Sequence, residues 1–389
     1  MSLTFINAQF CDGRIGSLRV RGARIAALDV DPEPADEVVD LEGDRLLPGL
    51  INAHDHLQLN SLPEHGTPRF YQHARDWVAE VDARRRTDPL FEAGVSVARD
   101  ERLFLGGLKN LLSGVTTVAH HDPLFPSLTQ AGYPISVVRD YGWSHSLYID
   151  GEHAVAESYR ATPAAWPWIV HAAEGQDAQA TAEFERLDAL GCVGPNTVLI
   201  HGIALDQAQR ARLTAAGGAL VWCPSSNMRL FGKTAQVTDL VSKRRVALGT
   251  DSRLSGARDL FDELRLAATL VGLDDDTLAG LVTDVSATIL RLPDRGALRP
   301  GLRADLLVLP AKTRLRDATR SNVRLVMIEG TARYGDAQYV ISASASAEWT
   351  RVAVDGVPKM LDGNLSKRLA CASMSEPGLE MTRLTGRAA

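Results

Sequence analysis

Short apolar segments that end in a histidine or an aspartate recur through the middle of this 389-residue chain. Four of them close on His54, His171, His201 and Asp251, which are 117, 30 and 50 residues apart (171 − 54, 201 − 171 and 251 − 201). A (β/α)8 barrel uses about 31 residues for each strand–helix unit. The four residues therefore fall at the ends of the first, fifth, sixth and eighth strands of such a barrel. Because barrel active sites are built at the carboxyl ends of the strands, this register predicts both the fold and the position of its site.

Strand-like segments separated by turns flank this region on both sides. We expect the two ends of the chain to pair into one small β-sandwich domain. The predicted fold is α/β: a (β/α)8 TIM barrel over residues 48–299, with a composite β-sandwich from residues 1–47 and 300–360. Residues 361–389 are polar and without pattern, and they are assigned to a C-terminal extension. Within the barrel, Phe91 to Leu112 is predicted to be one helix.

Composition limits the partners of the chain. Its net charge of −6 gives no electrostatic reason to expect nucleic-acid binding. No apolar run approaches the ~20 residues that span a bilayer, and the first residues lack the basic and apolar pattern of a signal peptide. The four cysteines are far apart and form no C-x-x-C pair. We therefore expect a cytoplasmic protein that acts on a small molecule, with no nucleic-acid or membrane partner; a homo-oligomer is left open.

The first of the apolar segments ends in two histidines separated by one residue, His54 and His56. Side chains alternate along a strand, so these two imidazoles project from the same face while Asp55 turns away. Two imidazoles on one face can chelate a single metal ion. The alternative is a pair of hydrogen-bonded histidines at a strand end, and the H-x-H pattern by itself does not separate the two.

The ordered set of motifs resembles the amidohydrolase superfamily of metal-dependent (β/α)8 hydrolases. Pro48 to His56 is similar to its P-G-[FL]-[IV]-[ND]-x-H-x-H signature, and His171-Ala172-Ala173-Glu174 to the H-x-x-E of its aminohydrolase branch. That branch contains cytosine, S-adenosylhomocysteine and atrazine deaminase-like enzymes. His201-Gly202, Cys223 to Leu230 and Gly249 to Ser252 match further segments of the branch. The resemblance covers nearly the whole chain.

The resemblance implies a ligand set and roles for individual residues. His54, His56, His171 and Asp251 are the implied ligands of one divalent metal ion, with zinc expected and iron or manganese as alternatives. Asp251 also accepts the proton of the metal-activated water, and Glu174 carries a proton to a ring nitrogen or to the leaving amine. His201 polarises the reacting group or hydrogen-bonds the water; a direct contact of His201 with the metal is the alternative.

Family members with two metal ions bridge them with a carbamylated lysine, or sometimes a glutamate, on the fourth strand. This chain has no lysine between Lys109 and Lys233, which favours one metal ion. Glu152 and Glu157 remain as carboxylates near that position. Contacts to the substrate are predicted from residues that follow other strands: His120, His121, Asn227 and Trp143.

The predicted function is metal-dependent hydrolysis of carbon–nitrogen bonds other than peptide bonds. Hydrolytic deamination of a small heterocyclic amine by a metal-activated water is preferred. A free heterocycle is favoured over an adenosine-type substrate, because the acidic residue that nucleoside-type deaminases of the branch use for a ribose is not identified in this chain. A cyclic or linear amide hydrolase with the same metal site is the first alternative. A catalytically inactive barrel that only binds a partner is the second.

Overall fold

Eight parallel strands carry the middle of the chain in the computed structural model, which describes residues 2–64, 69–344 and 347–381. They form a three-stranded sheet in the order β6-β7-β8 and a five-stranded sheet in the order β13-β12-β11-β10-β9. Six of these strands, all except β8 and β9, are buried along their whole length, as expected for a parallel sheet covered on both faces. Their bounds are β6 Leu50–Asp55, β7 Val115–His120, β8 Ser136–Val137, β9 Gly142–Ser146, β10 Trp168–Ala172, β11 Thr197–His201, β12 Ala219–Trp222 and β13 Val246–Leu248.

The segment that follows β13 lies directly against β6. The backbone N–H groups of Thr250 and Asp251 donate to the carbonyl of His54 at 3.0 and 3.1 Å. Gly249 makes this approach possible, because a Cβ at this position would lie 2.7 Å from the Cβ of His54. The absence of a side chain at Gly249 therefore brings Asp251 beside the two histidines of the H-x-H motif.

The two ends of the chain share one mainly antiparallel sheet of eleven strands among the described residues. β5 pairs with β14, which joins the N-terminal strands to the C-terminal ones. That these ends form a β-sandwich stays a prediction. The strands are β1 Ser2–Gln9, β2 Ile15–Arg21, β3 Arg24–Leu28, β4 Glu37–Asp40, β5 Arg45–Pro48, β14 Leu306–Leu309, β15 Leu325–Ile328, β16 Thr331–Gly335, β17 Trp349–Val354, β18 Val357–Asp362 and β19 Leu379–Met381.

Most of the longer helices begin at an Asp or Ser side chain that accepts a hydrogen bond from a first-turn N–H group, which stabilises a helix start. None of the described helices is both long and apolar enough to cross a bilayer. The helices are α1 Ala74–Thr87, α2 Pro89–Ser96, α3 Arg99–Leu112, α4 Leu147–Ala161, α5 Ala178–Ala189, α6 Gln207–Ala215, α7 Pro224–Phe231, α8 Thr238–Ser242, α9 Leu260–Val271, α10 Asp275–Leu281, α11 Asp284–Ile289, α12 Ala337–Ala343 and α13 Gly363–Ala370.

The prediction of one helix from Phe91 to Leu112 was wrong. α2 ends at Ser96 and α3 begins at Arg99, because Val97 and Ala98 adopt ψ angles of 139° and 133° that no helix allows. Gly94, Ser96 and Val97 are weak helix formers, which explains why the helix breaks here.

The segment predicted to be an unpatterned C-terminal extension is folded as far as residue 381. It contains the last two residues of β18, then α13, and then β19, which pairs with β17. Between α13 and β19, the buried Glu376 accepts hydrogen bonds from Arg320 at 2.8 Å and from Arg253 at 2.9 Å. Arg253 lies two residues after Asp251. These bonds therefore attach the C-terminal segment to the carboxyl ends of the parallel strands. Residues 382–389 of the predicted extension lie outside the described residues.

Candidate active site at the strand ends

Histidines from four strands meet at the carboxyl edge of the parallel sheets. His54 lies in β6, His171 in β10 and His201 in β11, while His121 directly follows β7. Their side chains are almost completely buried, with exposed fractions between 0% and 9%. Because all of these strands are parallel, their carboxyl ends bring the imidazoles to one place.

Four imidazoles form a compact group that could hold a metal ion. One ring nitrogen from each of His54, His56, His121 and His171 lies within 4.8 Å of the others. The Nε2 atoms of His56 and His171 are only 3.4 Å apart. Oδ1 of Asp251 lies 3.7 Å from Nε2 of His54 and 3.8 Å from Nε2 of His56. The four residues predicted as ligands are therefore adjacent, and His121 joins them.

The distal nitrogens of three of these rings are anchored by acceptors. Nδ1 of His56 lies 3.3 Å from the Asp122 carboxylate, and Nδ1 of His171 lies 2.9 Å from the carbonyl of His145. Nε2 of His121 lies 2.9 Å from the carbonyl of Ser144. A carboxylate or a carbonyl can only accept a hydrogen bond, so the anchored nitrogens carry the hydrogens. The opposite nitrogens of His121 and His171 then present lone pairs, as is typical of metal-binding histidines. Burial acts to lower the pKa of His56, but Asp122 outweighs it and raises that pKa, so a metal ion at Nε2 of His56 would displace a proton.

The unpaired nitrogens fit a cation. Both ring nitrogens of His54 and Nδ1 of His121 are buried without a hydrogen-bond partner among the described residues. Burial lowers the pKa of His54 to about 4 and the pKa values of His121 and His171 well below their usual range. These rings are therefore neutral at pH 7, and a neutral imidazole is the form that binds a metal.

The pKa values of two carboxyl groups in the site, Asp251 and Glu174, are shifted in opposite directions. Burial would raise the pKa of Asp251, but the nearby imidazoles, first His54, outweigh it and hold that pKa well below its usual range. Burial, with further contributions from Asp251 and Glu183, raises the pKa of Glu174 well above its usual range. Asp251 is therefore ionised, whereas Glu174 is held in its acid form and has a proton to donate.

His201 lies beside Glu174 and outside the group of four imidazoles. Its Nδ1 lies 2.8 Å from Oδ1 of Asn227, and its Nε2 lies 3.5 Å from Oε1 of Glu174. His201 and Asp251 both have positive φ angles, 71° and 54°, which non-glycine residues rarely adopt. Such strained backbone is concentrated at functional sites, and here it turns both side chains at the ends of their strands.

A cavity of about 250 Å³ opens above these groups. His56, His171, Glu174, His201 and Asp251 line its inner end. α1 covers the other side with both apolar and charged side chains, which are Trp77, Val78, Val81, Asp82 and Arg85. The group of imidazoles and carboxylates therefore faces a space for a small molecule.

None of the four residues predicted to contact substrate is among those that line this cavity. Asn227 is fully buried and is held between His201 and Thr234. Trp143 packs edge-on against the ring of His121. His120 lies against the backbone of β6, with Nδ1 3.4 Å from the carbonyl of Asp55. The structure thus places all four residues behind the cavity, next to the residues that line it.

Glu152 and Glu157, which remained as candidate bridging carboxylates, lie on the surface. Glu152 is half exposed and accepts a hydrogen bond from Arg186 at 2.8 Å, while Glu157 is 71% exposed beside His153. Neither belongs to the group that could hold a metal ion.

A buried polar network behind the site was missed by sequence reasoning. The fully buried Lys109 of α3 donates to Asp55 at 3.2 Å, to Asn60 at 2.7 Å and to Thr250 at 3.1 Å. Asp55 separates His54 from His56, and Thr250 precedes Asp251, so the network joins the backbones that carry three predicted ligands. Its signal in the sequence was a single lysine within the apolar run of α3.

Lys109→Met is expected to destabilise the fold by about 3–5 kcal/mol, because it leaves the buried Asp55 carboxylate without its cation. Four other hydrogen-bond donors still contact the Asp55 carboxylate, so we expect a loss of stability of about 3 kcal/mol, the lower end of the ~3–5 kcal/mol range. Urea unfolding measures the change. The control is Lys367→Met at an exposed ion pair with Glu348, where less than about 1 kcal/mol is expected. Equal small effects of the two substitutions would contradict a structural role for the network.

Comparisons with known proteins identify related enzymes and a similar fold. A model of the amidohydrolase family matches residues 167–333. A 5-methylthioadenosine/S-adenosylhomocysteine deaminase of Halobacterium salinarum is 27% identical over 330 residues, which cover 72% of this chain and 76% of the relative. An 8-oxoguanine deaminase of Pseudomonas aeruginosa is 26% identical and covers 76% and 79%. The crystal structure of an adenosine deaminase from Xanthomonas campestris with bound zinc matches with a TM-score of 0.67 over 85% of this chain and 92% of that one, at 21% identity.

Proposed function

Because this chain belongs to the amidohydrolase superfamily, in its aminohydrolase branch, we propose that it releases ammonia by hydrolysis from a small heterocyclic amine. The observation that carries the proposal is the convergence of the imidazole group, Asp251, Glu174 and His201 on one small cavity. The chain is a hydrolase of carbon–nitrogen bonds other than peptide bonds, and the curated relatives named above are deaminases.

We infer that the two parallel sheets are parts of one (β/α)8 barrel. Together they supply eight parallel strands, and the contacts of Thr250 and Asp251 with His54 join the end of β13 to β6. The pairing of β5 with β14 supports a composite domain from residues 1–47 and 300–360, next to a barrel over residues 48–299. The cytoplasmic location and the oligomeric state stay predictions.

The residues that would hold the metal ion are His54, His56, His171 and Asp251. Zinc fits three imidazoles and a carboxylate, and iron or manganese is the alternative. When bound, such an ion lowers the pKa of water towards ~7 and so makes it a nucleophile at neutral pH. A single ion is favoured, because Lys109 is engaged with Asp55 and both candidate glutamates lie on the surface.

Asp251 and Glu174 divide the proton transfers between them. Asp251 accepts a proton from the attacking water, whose oxygen bonds to the ring carbon that bears the amino group. Glu174 donates its proton to the adjacent ring nitrogen. Asp251 then gives its proton to the amino group, and the electron pair of the C–N bond leaves with ammonia. The new hydroxyl returns a proton to Glu174 and becomes a carbonyl.

His201 is assigned to orienting the reacting groups. Its Nδ1–H donates to Asn227, so its Nε2 carries a lone pair that faces Glu174 and the cavity. In this state it accepts a hydrogen bond from the acid form of Glu174 or from the attacking water. Asn227 is then a positioning residue that fixes the tautomer of His201.

The cavity limits the substrate to a small molecule. Its volume of about 250 Å³ lies below the ~300–1,000 Å³ typical of ligand pockets, so one heterocyclic ring system fits best. A free base or a related heterocycle is therefore favoured over a nucleoside. Alternatives with the same residues are a cyclic or linear amide hydrolase and an inactive binding protein.

Product analysis on a panel of small heterocyclic amines and amides tests the proposal. The metal-loaded protein is expected to release ammonia from at least one heterocyclic amine and to leave a carbonyl in its place. A new carboxylate without ammonia would support amide hydrolysis instead. Uniform inactivity of the metal-loaded protein on the whole panel would contradict both and favour a binding protein.

A further inference from the structure

His121 lies in the imidazole group although the sequence placed it among the substrate contacts. It directly follows β7, and its side chain is 1% exposed. It does not line the cavity, yet one of its ring nitrogens lies within 4.8 Å of a nitrogen in each of His54, His56 and His171. Its position requires an explanation other than contact with the substrate.

The hydrogen bonding of His121 fixes its tautomer. Its Nε2 lies 2.9 Å from the carbonyl of Ser144, and a carbonyl only accepts, so the hydrogen is on Nε2. Nδ1 therefore has a free lone pair, and it is buried without a partner among the described residues. Leaving a buried acceptor unsatisfied is costly, so this lone pair is suited to a cation.

β9 anchors His121 and His171 in the same way. The carbonyls of Ser144 and His145, which are consecutive residues, hold the distal nitrogens of the two rings. The rings stack with centroids 4.2 Å apart and planes only 6° from parallel. One strand thus orients a predicted ligand and His121 together, as expected when both serve the same ion.

We propose that His121 is a fourth imidazole ligand of the metal ion, bound through Nδ1 in addition to His54, His56, His171 and Asp251. The proposal rests on the metal site of the proposed function and deepens it. Four imidazoles favour zinc, iron, nickel or copper strongly over magnesium or calcium. Asp251 is not part of the group of four nitrogens. With a fourth imidazole on the ion, the metal depends less on the Asp251 carboxylate, which can then accept a proton.

The neighbouring residue provides a matched control. His120 is equally buried and also has a ring nitrogen without a hydrogen-bond partner among the described residues. It differs in one respect: it is not part of the group of four imidazoles. His121→Gln and His120→Gln therefore remove similar buried rings from adjacent positions, and only the first removes a proposed ligand.

Zinc affinity of the purified proteins, measured by competition with a chelator, tests the proposal without using activity. His121→Gln is expected to bind zinc at least about 100-fold more weakly than wild type, beyond the 10–100-fold typical of residues that only support a ligand. His120→Gln is expected to stay within about tenfold of wild type. An affinity of His121→Gln equal to that of His120→Gln would overturn the proposal.

A crystal structure of the zinc-loaded wild-type protein gives the answer even if His121→Gln fails to fold. Nδ1 of His121 is expected at ~2.0–2.1 Å from the ion. An ion bound by the other predicted ligands, with His121 outside bonding distance, would overturn this inference and leave the proposed function intact. A protein that binds no zinc at all would remove the metal site on which both depend.

Discussion

His54→Ala is expected to leave the protein without its metal ion and to reduce hydrolysis to the level of the metal-stripped protein. Structural zinc sites bind with about 10–16 kcal/mol, so one of four ligands carries roughly 3–4 kcal/mol, or about 10²–10³-fold in affinity. His54 is fully buried and its Nε2 lies 3.7 Å from Oδ1 of Asp251, so alanine removes a ring from the interior of the site. Elemental analysis after dialysis and the rate of ammonia release measure the two effects.

His153→Ala is the matched control for this substitution. His153 lies on α4 with 90% of its side chain exposed. Its replacement should change neither the metal content nor the rate of ammonia release. A His54→Ala protein that retains one equivalent of metal and normal hydrolysis would show that the H-x-H motif does not hold the ion.

Glu174→Gln is expected to reduce kcat by about 10²–10⁴-fold while the metal content stays near that of wild type. Glutamine keeps the shape and hydrogen bonding of the side chain but removes the proton that Glu174 is proposed to transfer. Glu174 has no atom in the group of four imidazole nitrogens, and it contacts His201 at 3.5 Å. Steady-state kinetics together with elemental analysis separate the two roles.

Two further variants make the comparison decisive. Glu152→Gln changes a half-exposed carboxylate that pairs with Arg186 and should behave like wild type. Asp251→Asn weakens both the proton acceptor and a metal ligand, so its loss of activity should be at least as large and should come with weaker metal binding. If Glu174→Gln instead loses its metal, or keeps full activity, the aminohydrolase mechanism gives way to plain amide hydrolysis.

The parallel strands and the residues at their ends were predictable from the sequence. A buried strand is a short apolar run, and a polar residue at its end is visible in the sequence itself, as at His171 and His201. The regular spacing of these ends then places them on one edge of the sheets. The pairing of the two chain ends followed from their strand-like character, although the exact partners, β5 and β14, did not.

Other features depend on contacts that a single sequence does not reveal. His120 and His121 were both predicted to contact substrate because they follow the same strand. Only the fold shows that a ring nitrogen of His121, and none of His120, lies in the imidazole group. The contacts of Lys109 were not predicted, because its partners, Asp55, Asn60 and Thr250, are 49 to 141 residues away along the chain. Asn227 was predicted to contact substrate, and its hydrogen bond with His201 is visible only in the fold.

Stepwise addition of zinc to the metal-stripped protein determines how many metal ions hydrolysis requires. The readout is the initial rate of ammonia release from the best substrate of the panel. We expect no release without metal, a linear rise up to one equivalent of zinc per chain, and no further increase beyond it. Ammonia release by the stripped protein at the full rate, or a rise that continues to two equivalents, would contradict a hydrolase that works with one metal ion.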